Sequence, residues 1–376
     1  MTRRLFLGSL AAGPVPAPAD DETGFVSLFD GRSLAGWNVV DGPESAFYVK
    51  DGAIVIHRGS GFPAWLRTQR RYENFDFRCE VFIEGWANSG VYIHAPVHGR
   101  PTWTGLKINL FQKHDDPPLA ESMGAIFPLV APRKVNVRSR GQWNSIRIVS
   151  QWPSLRVWIN EELVQDMDLA RHSELRYRLR SGYIGIESLS YPLRFRNLRI
   201  KELPGNEQWI TLYAGPSDLE KNWIVTNGKA RWEPVGPMLR ADGLGYLGTR
   251  ERFRDFEFQC YIRGSHHHNG GIMFRGPAEP SSARYEIQLH DVEGAVYPTG
   301  SLYGFQRCRP YPRIEPERWF PFQLLVDGSH CVVRVNGDTV VDYDKLEQKD
   351  STPVMLQAHE AGKWIEYKEI RIRRLG

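Results

Sequence analysis

The segment Tyr285-Glu286-Ile287-Gln288-Leu289-His290-Asp291 alternates apolar and polar side chains. On a β-strand that alternation places Glu286, Gln288 and His290 on one face and turns Ile287 and Leu289 into a core. A carboxylate and an imidazole on one sheet face can move protons. With His359, from Met355-Leu356-Gln357-Ala358-His359, they also form a mixed oxygen and nitrogen donor set that could hold a divalent metal ion. His290 beside Asp291 does not by itself make a metal motif. The competing reading is a solvated surface glutamate with Gln288 as an ordinary cross-strand partner. Two common hydrolytic arrangements have no support. A retaining glycosidase needs two carboxylates roughly 5.5 Å apart, but Glu286 and Asp291 differ by an odd number of positions and so fall on opposite strand faces. Ser-His-Asp chemistry lacks a G-x-S-x-G elbow. The tract His266-His267-His268 falls where the first half of the chain has Trp86-Ala87, and reads as a loop rather than a ligand set.

The elements that must position these groups come in duplicate. Asn74-Phe75-Asp76-Phe77-Arg78-Cys79 matches Asp255-Phe256-Glu257-Phe258-Gln259-Cys260, at an offset of 260 − 79 = 181. Asn88-Ser89-Gly90 matches Asn269-Gly270-Gly271 at the same 181. Gln142-Trp143 matches Arg318-Trp319 and Ile159-Asn160 matches Val335-Asn336, both at 176. Phe195-Arg196-Asn197-Leu198-Arg199-Ile200 pairs with Tyr367-Lys368-Glu369-Ile370-Arg371-Ile372 at 172. The drift is that of small insertions in loops. Two domains follow, residues 22–204 and 207–376, joined around Pro204-Gly205-Asn206.

Within each copy the period is two. Phe75, Phe77, Cys79, Val81 and Ile83 share a face, and Ser145–Val149 and Leu155–Ile159 alternate likewise. Cys331–Val335 runs into Asn336-Gly337, a hairpin dipeptide suited to positive φ. Helical periodicity is nearly absent, with one short turn expected within Leu163–Arg171. The fold class is all-β, two tandem sandwiches or jelly rolls.

Hydrophobic residues are 41% of the 376, enough for two cores. Aromatics are 12%, with 12 Trp and 15 Tyr, a supply suited to stacking on sugar C–H faces, though most belong in the cores. The formal charge of +4 is small beside 48 basic and 44 acidic residues, so nucleic acid is not an expected partner. No apolar stretch approaches the roughly 20 residues of a membrane span. Residues 1–19 read as an export leader: Thr2-Arg3-Arg4-Leu5-Phe6-Leu7 resembles a twin-arginine signal, and Ala17-Pro18-Ala19 an A-x-A cleavage site. The expected location is therefore periplasmic or extracellular. Cys79, Cys260, Cys308 and Cys331 show no paired spacing; Cys79 and Cys260 match between copies and read as small buried hydrophobes.

Phe25-Val26-Ser27-Leu28-Phe29-Asp30-Gly31 with Leu34, Gly36 and Trp37 resembles the opening of the 3-keto-disaccharide hydrolase domain. The Asn-Ser-Gly strand, the Trp-Asn strand, the Asn-Gly hairpin and the closing Phe-Arg-Asn-Leu-Arg-Ile segment also resemble that family, once per copy across nearly the whole chain. The resemblance implies a concanavalin A-like jelly roll with a concave sugar-binding face and activity on glycosides oxidised at C3. It implies a site in copy two, where Glu286 and Gln288, Gln357 and His359, Asn269 and Arg275, and Tyr303 in Gly300-Ser301-Leu302-Tyr303 stand in the family's pattern. Copy one departs from it, with Lys107 and Asn109 on the matching strand, His94 for Arg275, Phe127 for Tyr303, and no counterpart of His359. Lys107, Asn109, His94 and His114 are left as candidates for a different pocket.

A ketone at C3 acidifies the C2 proton. A base removes it, the C1 oxygen leaves by β-elimination, and water adds to complete a net hydrolysis. That chemistry assigns Glu286 and His359 as base and acid in an order left open, Arg275 to the enolate oxygen, and Gln288, Tyr303, Asn269, Gln357 and Asp291 to the substrate. The rival reading is a lectin-like carbohydrate-binding protein without turnover. The two differ on whether Glu286 and His359 share one face of the sandwich.

Overall fold

The computed structural model describes residues 22–59, 63–205, 207–276, 285–292 and 294–375. The leader-like residues 1–19 and Asn206 at the join lie outside them.

Each copy is a sandwich of a larger and a smaller antiparallel sheet. In copy one the larger sheet runs in the order Glu162–Asp168, Ser154–Ile159, Trp143–Gln151, Phe75–Ile83, Leu193–Glu202, Ala53–Ile56 and Phe47–Lys50, with Val26–Ser27 also on Leu193–Glu202. The smaller sheet runs Trp37–Val40, Ala64–Tyr72, Gly182–Ser188, Asn88–Ala95, Leu106–Phe111. Copy two repeats this. Its larger sheet centres on Ile365–Arg374, Phe256–Gly264 and Phe320–Asp327, and its smaller one runs Trp223–Gly228, Gly245–Thr249, Met355–Ala358, Asn269–Phe274, Tyr285–His290. The fold is the concanavalin A-like jelly roll, twice.

Period-two sequence builds each sandwich by giving every inner strand one apolar face. Phe256, Phe258, Cys260 and Ile262 are buried from one sheet of copy two, and Ile272, Ile287, Leu289 and Leu356 from the other. Each such side chain contributes about 1.5–3 kcal/mol on leaving water. The two cores are separate, one per copy. Asn336 and Gly337 both take positive φ, 49° and 89°, in a two-residue turn between His330–Val335 and Asp338–Tyr343. Asn160 repeats the conformation in copy one at φ 50°. The expected turn within Leu163–Arg171 shrinks to a 3-10 turn at Leu169–Arg171, because Glu162–Asp168 pairs as a strand. A helix at Pro216–Asn222 was not legible in the pattern.

Alternation fails to predict exposure on the outer face of copy two's larger sheet. Glu257, Gln259 and Gln323 are buried there, because copy one covers them. Gln323 Nε2 donates to the Tyr177 carbonyl at 3.2 Å, the Val97 N–H donates to the Tyr261 hydroxyl at 3.0 Å, and Arg100 Nη1 meets Asp338 Oδ2 at 2.6 Å. The copies are docked through polar groups.

Candidate active site

The smaller sheet of copy two positions the site by register. Met273 stands opposite both Glu286 and Met355, and Met355 opposite Gly248. Two residues along each strand, on the same face, Gln288, Gly271, Gln357 and Tyr246 form one row. Asn269 and His290 face each other in the row beyond. Between these rows Ile272, Ile287, Leu356 and Leu247 point into the core. One face of this sheet, opposite the core, thus carries Glu286, Gln288, His290, Asn269 and Gln357, and period two extends it to His359, just past the end of Met355–Ala358.

Glu286 owes its position to a glycine. A Cβ on Gly271 would lie 2.2 Å from Glu286 Oε1 and 2.8 Å from its Cγ, so the side chain lies across the space that Gly271 leaves empty. This swings the carboxylate off its own strand, toward the strand that places Gln357 opposite Gly271. His359 stands one strand over and two residues along from Gly271, roughly 8 Å away by strand spacing. Burial alone pushes the Glu286 carboxyl up to about 7, since desolvation disfavours the charged form. No described residue forms an ion pair with it.

The amides are tethered from one end. Gln288 Nε2 donates to Asn269 Oδ1 at 2.7 Å, which makes it a cross-strand partner as well as a face residue. Gln357 Nε2 donates to the Tyr246 hydroxyl at 3.2 Å. Burial first, then the nearby charge of His359, pulls His290 below the usual histidine range, against Asp291. Segment 299–303 extends the sheet: the Tyr303 N–H donates to the Glu286 carbonyl at 2.9 Å and that of Gln288 to the Ser301 carbonyl at 2.9 Å. Leu302 is buried, so Tyr303 falls on the Glu286 side, 53% exposed and 5.1 Å from the Tyr297 ring.

Three sequence-based assignments do not survive. Arg275 is not at the site. Its φ of 47° breaks the strand alternation, its side chain is 0% exposed, and it is spent on structure. It pairs with Asp255 Oδ1 at 2.6 Å and donates to the carbonyls of Arg254, Gly328 and Gln348. His94, its counterpart, has φ 51° and bonds the Glu73 carbonyl, the residue matching Arg254. Both side chains therefore fasten the same corner. Asp291 lies past the strand end with its N–H on the His268 carbonyl, and its carboxylate acts on His268 and His290 rather than on the face near Glu286. Glu286, His290 and His359 do not close into a metal site: among the described residues no three His, Cys, Asp or Glu side chains are arranged to hold an ion. His266–His268 forms a turn, as the repeat suggested. Gly271 and Tyr246 were missed, although Gly271 is matched by Gly90 in the other copy.

Copy one shows what happens when the carboxylate is replaced. Lys107 crosses Gly90 as Glu286 crosses Gly271, its Cε 2.4 Å from where a Cβ would stand. Its ammonium meets Glu187, the residue matching Gln357, at 2.5 Å, and Tyr92 donates to the same carboxylate at 2.6 Å. Lys107, Glu187 and Tyr92 are all buried. The position that Glu286 holds in copy two is filled here by an internal ion pair. His94 is turned away and His114 is exposed, so the four residues left open by the sequence do not line one pocket.

Comparison with known proteins agrees with this duplication. A family model, the 3-keto-alpha-glucoside-1,2-lyase-like domain, matches residues 24–201 and again 207–373. Among solved structures, a candidate glycosyl hydrolase from Parabacteroides distasonis ATCC 8503 is 22% identical at a TM-score of 0.43, covering 48% of this chain and 94% of that one. A second from the same organism is 18% identical at a TM-score of 0.38, covering 52% and 94%. The carbohydrate-binding module CBM66 from Bacillus subtilis is 14% identical at 0.28, covering 40% and 94%. A search of curated proteins gives no match. The chain therefore belongs to the 3-keto-alpha-glucoside-1,2-lyase-like domain family, holds two tandem copies of that domain, and is a carbohydrate-related protein.

Proposed function

We propose that copy two cleaves glycosides oxidised at C3, with Glu286 as the base. The observation that carries this reading is a carboxyl on that sheet face, raised by burial to about 7 and leaning over Gly271. A base of that pKa is about half deprotonated at neutral pH and basic enough to take an acidified C–H proton. In the proposed reaction Glu286 accepts the C2 proton, and the electron pair delocalises onto the C3 oxygen. Collapse of the enolate forms the C1–C2 double bond and expels the C1 oxygen, which takes a proton from His359. Water then adds across C1 and C2, returning a proton to C2 and giving the free 3-keto sugar. Tyr303 and His290 are the donors on this face for the enolate oxygen, in place of Arg275. Gln288 and Gln357 have their amide nitrogens engaged, so their oxygens accept sugar hydroxyls.

The test is incubation of the full chain with a 3-keto-disaccharide, comparing wild type with Glu286→Gln and His359→Ala. Cleavage by wild type, lost in Glu286→Gln and slowed in His359→Ala, is the expected result. Equal cleavage by all three removes the site assignment. Binding without cleavage by wild type selects the lectin-like reading.

A further inference from the structure

The end of copy one's matching sheet face carries charge that the chemistry at Glu286 does not use. Arg67 occupies the position of Gly248 in copy two (248 − 67 = 181), in register with Asn38 and Gly185. Its guanidinium lies 4.4 Å from the Tyr183 ring and 5.7 Å from Trp65, and Nη1 donates to the Val97 carbonyl at 3.1 Å. Its Nε is buried without a partner. One residue further, His98 Nε2 sits 2.6 Å from Lys368 Nζ, which copy two contributes. Lys368 lies 4.5 Å and Arg263 4.8 Å over the same Trp319 ring.

These cations rest on aromatic faces, and a ring quadrupole holds a cation without cancelling its charge. The carboxylates present are already used. Glu369 takes Arg71, while Glu366 alone serves both Arg240 and Arg263. Among the described residues neither Arg67 nor Lys368 is in an ion pair with a carboxylate; Glu369, already paired with Arg71, is the carboxylate whose charge also reaches Lys368. The junction therefore holds an excess of positive charge. His98 feels it: burial, then Lys368, Arg67, Arg263 and Arg71, push it down to about 4, leaving it neutral beside the ammonium.

We propose that this basic junction, built by both copies, binds the oxyanion of an acidic saccharide, a uronic acid carboxylate being the fitting class. A guanidinium and an ammonium close enough to repel one another can together take the two oxygens of a carboxylate. The sheet behind Arg67, with Trp65 and Tyr183, supplies the apolar wall for the ring. The proposal is independent of turnover at Glu286. It gives the diverged copy a role that its internal Lys107–Glu187 pair does not.

The experiment is calorimetric titration of the full chain with a uronic acid-containing disaccharide, its neutral counterpart and sodium sulfate. The acidic disaccharide is expected to bind more tightly than both others, and more weakly as salt rises. Arg67→Met and Lys368→Met should each weaken it at least about tenfold. Equal binding of the neutral disaccharide, or unchanged binding in the double variant, overturns the proposal. Sulfate binding as tightly as the uronate also overturns it, reducing the junction to an inorganic anion site. Should Arg67→Met fail to fold, Lys368→Met, whose side chain is half-buried, decides alone.

Discussion

If burial alone raises Glu286, the proposed base is a group that weakens the fold, and replacing it should stabilise the protein. The carboxyl moves from its ordinary 4.5 to about 7. In the unfolded chain it ionises near 4.5, so between those values the folded state binds more protons than the unfolded state. Stability contributed by the neutral carboxyl is therefore present below pH 4.5 and lost as pH rises through about 7. At 1.36 kcal/mol per unit the loss reaches about 3 kcal/mol above neutrality. Glu286→Gln keeps the shape and removes the charge, so it should gain up to about 3 kcal/mol at pH 8.5 and less than about 0.5 kcal/mol at pH 4.5. For a domain of this size that corresponds to about 6–12 °C in the melting temperature of copy two. Thermal unfolding of both proteins at the two pH values, followed by circular dichroism, reads the difference directly. A gain at pH 8.5 no larger than that at pH 4.5 would refute the argument that Glu286 is held uncompensated.

Four further outcomes follow from the same geometry. On a 3-keto-disaccharide, kcat/KM should rise about tenfold per pH unit below 7 and level off above it, because the carboxylate is the working form; an acid-limb midpoint near 4.5 would contradict the burial of Glu286. Gly271→Ala puts a methyl 2.2 Å from Glu286 Oε1, and should cost about 100-fold in kcat/KM by displacing the base; steady-state kinetics on the folded variant checks it. Lys107→Met strands the Glu187 carboxylate in copy one and should destabilise by about 3–5 kcal/mol in denaturant unfolding, with most of the loss recovered in Lys107→Met/Glu187→Gln. Arg275→Met breaks a buried pair and three carbonyl contacts, so it should lower stability by about 3 kcal/mol or more while kcat per folded molecule stays unchanged.

Much of the fold was legible because period-two alternation is a local consequence of backbone geometry. Phe75–Ile83 appears as a strand with the predicted bounds. The Asn336-Gly337 turn was readable because few residues other than asparagine and glycine accept those φ values readily. Alternation likewise put Glu286, Gln288 and His290 on one face. It failed at Arg275, where a positive φ rotates the side chain out of phase and into a corner that no linear pattern marks. It failed again at Glu257 and Gln259, polar residues buried because a second domain covers them.

The sequence by itself determined two jelly rolls, which strands they contain, and the replacement of Glu286 by Lys107, since these depend on residues close in the chain or repeated at a fixed offset. Only the tertiary structure decided that Glu286 leans over Gly271 toward Gln357, that Lys107 is neutralised by Glu187, and that Arg67 and Lys368 gather around His98 at the junction. Charge compensation depends on distances of a few ångströms between residues far apart in sequence, such as the 2.5 Å between Lys107 and Glu187.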